Sequence, residues 1–209
     1  MVQIAESPRT ADRKREILRA ASDVFRRRGL HDTGMRDIAA ALGMAVGNLY
    51  YYFENKEALL AFCQEDALRG LLALAAEVRA LPARADDKLR RLLAGHVVLL
   101  NEETPGSLAH LEVEALAGRR RRAVMDKRRT YERAIQELLG EGIEQRIFRP
   151  VDVKIASYAL LGAVNWTVKW FRPEGGKSAR QIGDECAELL VGGLMRDGRP
   201  PRLTAKSAS

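Results

Sequence analysis

The sequence is poor in the residues and segments that build disulfide frameworks, metal sites and membrane spans. The two cysteines, Cys63 and Cys186, cannot form a disulfide framework or a four-ligand metal site, which fits a reducing compartment. No run of about 18 apolar residues is present, and the first residues, Met1 to Arg15, are polar and charged without an apolar stretch. We therefore expect a cytoplasmic protein that neither spans a membrane nor is secreted.

Catalytic and metal-ligand patterns are also scarce. The chain has three histidines, His31, His96 and His110. His96 falls among leucines on one helix face, where a hydrogen-bonded core histidine is expected, and His110 lacks the spacing of metal ligands. There is no Gly-x-Ser-x-Gly, no Walker-type loop and no cysteine–histidine pairing at catalytic spacing. We predict that the protein is not an enzyme and that it has no metal site and no cofactor.

Charge and composition suggest a polyanionic partner. The chain is 46% hydrophobic and 30% charged, as in an ordinary globular protein, and its formal net charge is +7. Residues 1–60 hold ten cations and eight anions, whereas residues 119–133 hold eight cations and two anions. Most of the positive surplus therefore lies outside the N-terminal segment.

Apolar residues recur at spacings of three and four throughout the chain, which predicts an all-α fold. The helices divide into a small N-terminal unit of three helices and a larger C-terminal helical unit, for which the motif and the resemblance described below imply a helix-turn-helix domain and a ligand-binding and dimerisation domain, respectively. The expected domains are residues 10–56 and 57–196, followed by a disordered tail over 197–209. Stop and cap signals predict helices over residues 10–28, 33–42, 46–52, 55–81, 86–101, 107–117, 118–145, 152–171 and 178–195.

Residues 33–53 have the layout of a helix-turn-helix. A helix capped by Thr33 ends at Gly43, a short turn follows, and a second helix begins with small side chains. Leu49 and Phe53 are expected to pack inward. The residues that open the recognition helix and reach base edges in the major groove are then Ala45, Val46, Gly47 and Asn48.

The residues after this turn suit the DNA backbone. Tyr50, Tyr51 and Tyr52 place hydroxyl donors at the groove wall, and Lys56 adds a cation. Thr33 is a helix cap first and a phosphate contact second, and Arg36 is either a DNA contact or solvated. Tyr52 is equally compatible with the core and with the interface. Packing alone would also explain the small residues of this motif.

Several spaced elements of this segment resemble the DNA-binding domain of the TetR family of transcriptional regulators. The resemblance covers about residues 12–60, and the family often carries serine where this chain has Ala45. The elements that match are Phe25 to Gly29, Thr33, Asp37 to Ala39, Leu42-Gly43, Leu49 to Phe53 and Lys56 to Leu59.

The resemblance implies a homodimer on a palindromic double-stranded operator and a ligand pocket in the helical domain. Apolar faces over residues 152–171 and 178–195 independently favour pairing of the last two helices between two copies. Small residues on these helices allow close approach, namely Ala156, Ala159, Gly162, Ala163, Gly192 and Gly193.

Two features suggest the chemistry of the effector. Arginines from the cluster at residues 119–133, with Arg119, Arg122 and Arg129 as candidates, match phosphate geometry and suit coenzyme A. A solvated helix face is the simpler explanation, because four adjacent arginines cannot all face one side of a helix. Asn165, Trp166, Lys169 and Trp170 are similar to a region of TetR-type regulators of lipid and steroid degradation that respond to acyl-CoA thioesters. The two tryptophans share one helix face, where they line either the ligand or the dimer interface.

The sequence thus predicts a ligand-responsive transcriptional repressor that a small-molecule effector, an acyl-CoA thioester of lipid or steroid catabolism, releases from its operator. One alternative is a repressor that senses an uncharged hydrophobic compound or drug. The other is an all-helical interaction module that does not bind DNA.

Overall fold

The computed structural model describes residues 8–29, 31–103 and 112–196. Apart from an isolated bridge between Phe148 and Met195, the elements formed by these residues are all helical. The all-α prediction is confirmed. The helices are α1 Pro8–Arg28, α2 Met35–Ala41, α3 Val46–Tyr52, α4 Lys56–Ala80, α5 Ala85–Val98, α6 Gly118–Glu144, α7 Val153–Trp170 and α8 Ala179–Gly192.

Glycines end the first two helices where the sequence indicates. Gly29, with φ 84°, follows α1, and Gly43, with φ 62°, follows α2. Both angles lie in the left-handed region, which a side chain beyond Cα disfavours, so glycine is the residue that allows the chain to leave a helix there.

Thr33 does not cap α2, so the predicted cap is wrong. The N-cap is Gly34, and the Thr33 hydroxyl donates to the Gly29 carbonyl oxygen at 2.7 Å in a position only 2% exposed. The Asp37 carboxylate accepts a hydrogen bond from the Gly34 N–H at 2.8 Å. That bond, followed by the neighbouring Arg28, lowers the pKa of Asp37.

Two predicted segments fall wholly or partly outside the described residues. The tail over 197–209 lies outside them, as does most of the helix expected over 107–117. The described part of that helix contains only a 3₁₀ turn, Val113–Ala115. A π-helical turn, Leu99–Glu103, continues α5 beyond the predicted helix end.

The chain divides into two compact units. The helix-turn-helix unit comprises residues 1–69 and 103–127, and the second unit comprises residues 70–102 and 128–209, so α4 and α6 each contribute to both. The predicted domain boundaries remain predictions. The helix-turn-helix unit buries a core that includes Ile17, Leu18, Phe25, Ile38, Leu49 and Leu59, and the second unit buries Leu89, Leu92, Val97, Phe148, Leu160 and Val164. No described helix is long and apolar enough to cross a membrane.

Candidate functional site

The recognition helix is held by two apolar side chains. Leu49, in the middle of α3, is fully buried, and Phe53 at its C-cap is 4% exposed, which confirms that both pack inward. Ala45 is the N-cap of α3 with φ −64° and ψ 139°, and it supplies no side-chain hydrogen bond. The helix is therefore positioned by its buried side rather than by a capping side chain.

The other side of α3 is open. Gly47, Asn48 and Tyr50 are exposed, and a Cβ added at Gly47 would meet no atom within 4 Å. Tyr51 is 83% exposed, an unusual position for a large aromatic side chain. A short helix with a small-residue start and outward tyrosine hydroxyls can enter a major groove and donate to phosphates.

The residues at the end of α3 and just after it have mixed roles. Tyr52 is half-buried, with its ring edge-on to that of Tyr51 at 5.1 Å between centroids. Lys56, the first residue of α4, is half-buried, and this burial lowers its pKa against the opposing effect of Asp32. Asn55 caps α4 by accepting the Ala58 N–H at 2.8 Å. Lys56 therefore lies at a well-defined helix start beside the tyrosines.

The remaining predicted DNA contacts differ from one another in their exposure to solvent. Arg36 and Ala45 are exposed on either side of the turn. The buried Thr33 side chain instead joins the end of α1 to the start of α2, so its hydroxyl faces the interior and not the outer surface of the unit.

The seven predicted effector residues do not fall in one compact unit. Arg119 and Arg122 belong to the helix-turn-helix unit. The second unit holds Arg129, Asn165, Trp166, Lys169 and Trp170. Arg119 and Arg122 therefore belong to a different compact unit from the two tryptophans.

The start of α6 binds residues close to the recognition helix. Arg120 forms an ion pair with Glu54 and lies 3.9 Å from the Glu57 carboxylate. Glu57 also accepts the Ala117 N–H at 3.0 Å. Because Glu54 follows α3 by two residues, these contacts bring the arginine-rich end of α6 next to the DNA-reading helix.

The two tryptophans point away from the core of the second unit. Trp166 and Trp170 are 59% and 46% exposed, and Ile155 and Tyr158 on the same helix are exposed as well. Residues 155, 158, 162, 166 and 170 follow the spacing of one helix face, so α7 presents an apolar stripe with Gly162 at its centre. Large exposed apolar stripes of this kind mark protein interfaces.

Asn165 lies on the inner side of α7 in a buried polar chain. Its Oδ1 is 3.1 Å from His96 Nε2, and His96 Nδ1 is 3.0 Å from the Tyr131 hydroxyl. Since an amide oxygen only accepts, Nε2 carries the proton, Nδ1 accepts, and Tyr131 donates. Burial lowers the pKa of His96 to about 4, so the ring is neutral near pH 7. The expectation that His96 is a hydrogen-bonded core residue is confirmed.

Tyr131 and Asn101, which were not predicted from the sequence, also belong to the polar interior of the second unit. Asn101 lies in the π-helical turn and donates to the Val97 carbonyl oxygen and to Thr167 Oγ1, both at 2.8 Å. Neither residue has a local spacing signal for its side-chain partner, because Thr167 and His96 lie on other helices. The sequence indicates a buried polar residue of this kind only where a polar side chain interrupts an otherwise apolar helix face.

A cleft of about 390 Å³ also lies in the second unit, a size within the range of small-molecule sites. Its lining combines apolar side chains with acidic ones: Ala75, Leu92, Ala134 and Leu138 beside Arg79, Glu137, Glu141 and Glu144. Three carboxylates around one cleft oppose the binding of a polyphosphate.

Both parts of the chain match known families. The family described as bacterial regulatory proteins, tetR family, matches residues 17–62, and the tetracyclin repressor-like C-terminal domain matches residues 82–194. The proteins of these families are helix-turn-helix DNA-binding regulators and not enzymes, and the exposed α3 lies within the residues that the N-terminal family matches. The chain belongs to the TetR family of transcriptional regulators.

Individual relatives support this membership along the length of the chain. The HTH-type transcriptional repressor KstR2 of Mycobacterium tuberculosis is 30% identical over 194 residues, which cover 89% of this chain and 94% of KstR2. The structure of PfmR from Thermus thermophilus is 31% identical with a TM-score of 0.77, over 86% of this chain and 99% of PfmR.

A third relative was solved with ligands. AibR, in complex with isovaleryl coenzyme A and operator DNA, is 28% identical with a TM-score of 0.74, over 88% of this chain and 98% of AibR.

Proposed function

We propose that this protein is a homodimeric repressor acting in the cytoplasm, and that an acyl-CoA thioester releases it from a palindromic operator. The observation that carries the DNA-binding part is the outward face of α3, with small residues at its start and an 83% exposed Tyr51. The likeness to AibR, solved with isovaleryl coenzyme A, supports the effector class.

In the proposed interface, the start of α3 enters the major groove. Ala45, Val46, Gly47 and Asn48 lie close to base edges because their small side chains let the backbone approach. Tyr50 and Tyr51 donate to phosphate oxygens, and Lys56 places a cation beside them. Arg36 and the edge of Tyr52 complete the contact.

The exposed stripe on α7 is proposed as the dimer interface. The stripe holds Ile155, Tyr158, Trp166 and Trp170, and Gly162 lets a second copy of the helix approach closely. Two copies are also what a palindromic operator needs, since one recognition helix reads one half-site. On this proposal the tryptophans pair between protomers and do not line the effector.

The effector is proposed to bind the second unit beside Asn165 and Lys169. Asn165 uses its Oδ1 on His96 and keeps its amide N–H groups for a ligand carbonyl, and Lys169 and Arg129 supply cations. By linkage, an effector that releases DNA binds the DNA-free form more tightly than the bound form.

The test is a ligand screen followed by an operator assay. Native mass spectrometry of the purified protein identifies co-purifying ligands. Thermal shift then compares isovaleryl-CoA, free coenzyme A and isovaleric acid, where a ligand at about 100 times its Kd adds about 2.7 kcal/mol of stability. We expect stabilisation by the thioester and loss of operator binding in its presence. Stabilisation by the free acid alone would contradict the acyl-CoA assignment.

Variants locate the DNA interface in the same assay. Tyr51→Ala and Lys56→Ala are expected to weaken operator binding by about tenfold each without changing the response to the thioester. Operator binding that neither substitution weakens would contradict the proposed placement of the interface.

A second candidate effector is an uncharged hydrophobic compound. The exposure of Arg119 and Arg122 favours it, because a coenzyme A site would engage such arginines, and the acidic cleft of about 390 Å³ is better suited to a ligand without phosphates. Operator release by free hydrophobes but by no CoA thioester would decide for this candidate.

A further inference from the structure

The recognition side of the helix-turn-helix unit carries little positive charge of its own. Residues 31–60 hold two cations, Arg36 and Lys56, against four anions. Two of the anions, Glu54 and Glu57, lie directly after α3 and at the start of α4. Carboxylates at this edge repel the phosphates that flank a bound recognition helix.

Helix α6 brings compensating charge to this edge. Arg120 forms an ion pair with Glu54 and approaches Glu57 to 3.9 Å. The Ala117 N–H donates to Glu57 at 3.0 Å, and Lys127 binds Glu65 of α4 at 2.8 Å. All of these residues belong to the same compact unit, so the first turns of α6 pack on the start of α4.

The carboxylates of Glu54 and Glu57 balance the charge of Arg120. Two neighbouring arginines differ from Arg120 in this respect. Arg119 and Arg122 are three residues apart and therefore share a face of α6. Both are exposed, and among the described residues neither forms an ion pair. Arg121 lies between them in sequence, at 3.7 Å from the exposed Glu114, a weak surface pair.

We propose that Arg119 and Arg122 form a second DNA-contact surface, which binds operator phosphates flanking the half-site read by α3. The first turn of α6, which carries both arginines, lies beside the interface of Tyr51 and Lys56, because Arg120 pairs with Glu54, the residue that follows Phe53. A guanidinium matches phosphate geometry with two parallel hydrogen bonds, and each neutralised phosphate releases condensed counterions.

This inference rests on operator binding but assigns the arginines to DNA rather than to the effector. The division of the chain favours this choice, since Arg119 and Arg122 lie in the helix-turn-helix unit and Asn165 and Lys169 lie in the other.

The test is the salt dependence of operator affinity for the full chain and for the double variant R119Q/R122Q. Fluorescence anisotropy with a duplex selected by the wild-type protein gives Kd at several salt concentrations. If two phosphate contacts are lost from each protomer of the dimer, the slope of log K against log salt falls by about 3.6, and affinity at about 0.15 M salt falls by at least tenfold. The matched control is R91Q/R133Q, which removes the same charge from exposed positions in the second unit.

We expect the control to keep the wild-type slope and both variants to keep the wild-type melting temperature. An unchanged slope in R119Q/R122Q, or an equal decrease in the control, would overturn the inference while leaving the proposed function intact. Weaker binding of isovaleryl-CoA with unchanged operator affinity would overturn it in favour of an effector site. A wild-type protein that selects no duplex would overturn the proposed function itself and this inference with it.

Discussion

The two compact units place their aromatic and polar side chains in opposite ways. In the helix-turn-helix unit, apolar Phe53 is buried while the hydroxyl-bearing Tyr51 points outward. In the second unit, Tyr131 is buried with its hydroxyl on His96, while Trp166 and Trp170 are exposed. Outward polar tips suit a polyanion, and an outward apolar stripe suits another protein surface. The same residue types thus indicate two different partners.

The largest expected effect comes from breaking the apolar stripe. Trp166→Glu places a charge where two α7 helices are proposed to meet, so we expect dimerisation to weaken by at least about 100-fold, or about 2.7 kcal/mol. Sedimentation equilibrium measures this change, and operator affinity falls with it. Arg91→Glu, at an exposed position of the same unit, is the control. A Trp166→Glu protein that remains dimeric would show that the stripe is not the interface.

The buried polar chain predicts a pH-dependent stability. The pKa of His96 is about 4 in the folded protein and about 6.5 in the unfolded chain, so the unfolded state binds more protons between these values. Stability falls as the pH falls through this window, by about 2 kcal/mol between about pH 7 and pH 5. Urea unfolding at the two pH values should show this decrease in the wild type and a clearly smaller one in His96→Gln.

The quantity to compare is the change in the free energy of unfolding between the two pH values, because the substitution also changes the free energy of unfolding at each pH. Equal slopes in the two proteins would mean that His96 is not held neutral in the core.

The open face of α3 predicts a variant that folds well and binds DNA poorly. Gly47→Leu adds a side chain into open space and improves helix propensity by up to about 1 kcal/mol, yet it blocks close approach to the groove. We expect at least about tenfold weaker operator binding with no loss of melting temperature. Gly176→Leu, in an exposed loop of the second unit where an added Cβ also meets no atom within 4 Å, should leave operator affinity unchanged. Full operator affinity in Gly47→Leu would argue against major-groove insertion at this position.

The smallest expected effect concerns the start of the recognition helix. Ala45 is its N-cap without a side-chain acceptor, so Ala45→Ser should stabilise the protein by about 1 kcal/mol. Chemical denaturation measures the gain. No gain would mean that the buried Leu49 and Phe53 alone determine where the helix begins.

Local structure followed closely from the sequence. The bounds of α3, the glycine stops at Gly29 and Gly43 and the inward direction of Leu49 all depend on residues near each other along the chain. Such features are fixed by helix periodicity and by the conformational freedom of glycine.

Features that depend on residues far apart in the sequence could not be predicted from it. The cap of α2 is a local exception, since the Thr33 hydroxyl bonds to the Gly29 carbonyl oxygen only four residues away and the N-cap is Gly34. Arg120 finds Glu54 at a separation of 66 residues, and Asn165 finds His96 at 69. No spacing rule reveals such pairs, because tertiary packing alone brings them together. The sequence could locate the arginine cluster but not its neighbours.

The most direct test of the account is selection of binding sites from random duplex DNA, with wild-type protein and Tyr51→Ala compared in parallel. We predict that the wild type enriches a palindrome, that Tyr51→Ala enriches it weakly, and that isovaleryl-CoA lowers the affinity for the selected duplex. Failure of the wild-type protein to enrich any sequence over the variant would contradict the central claim that α3 reads an operator.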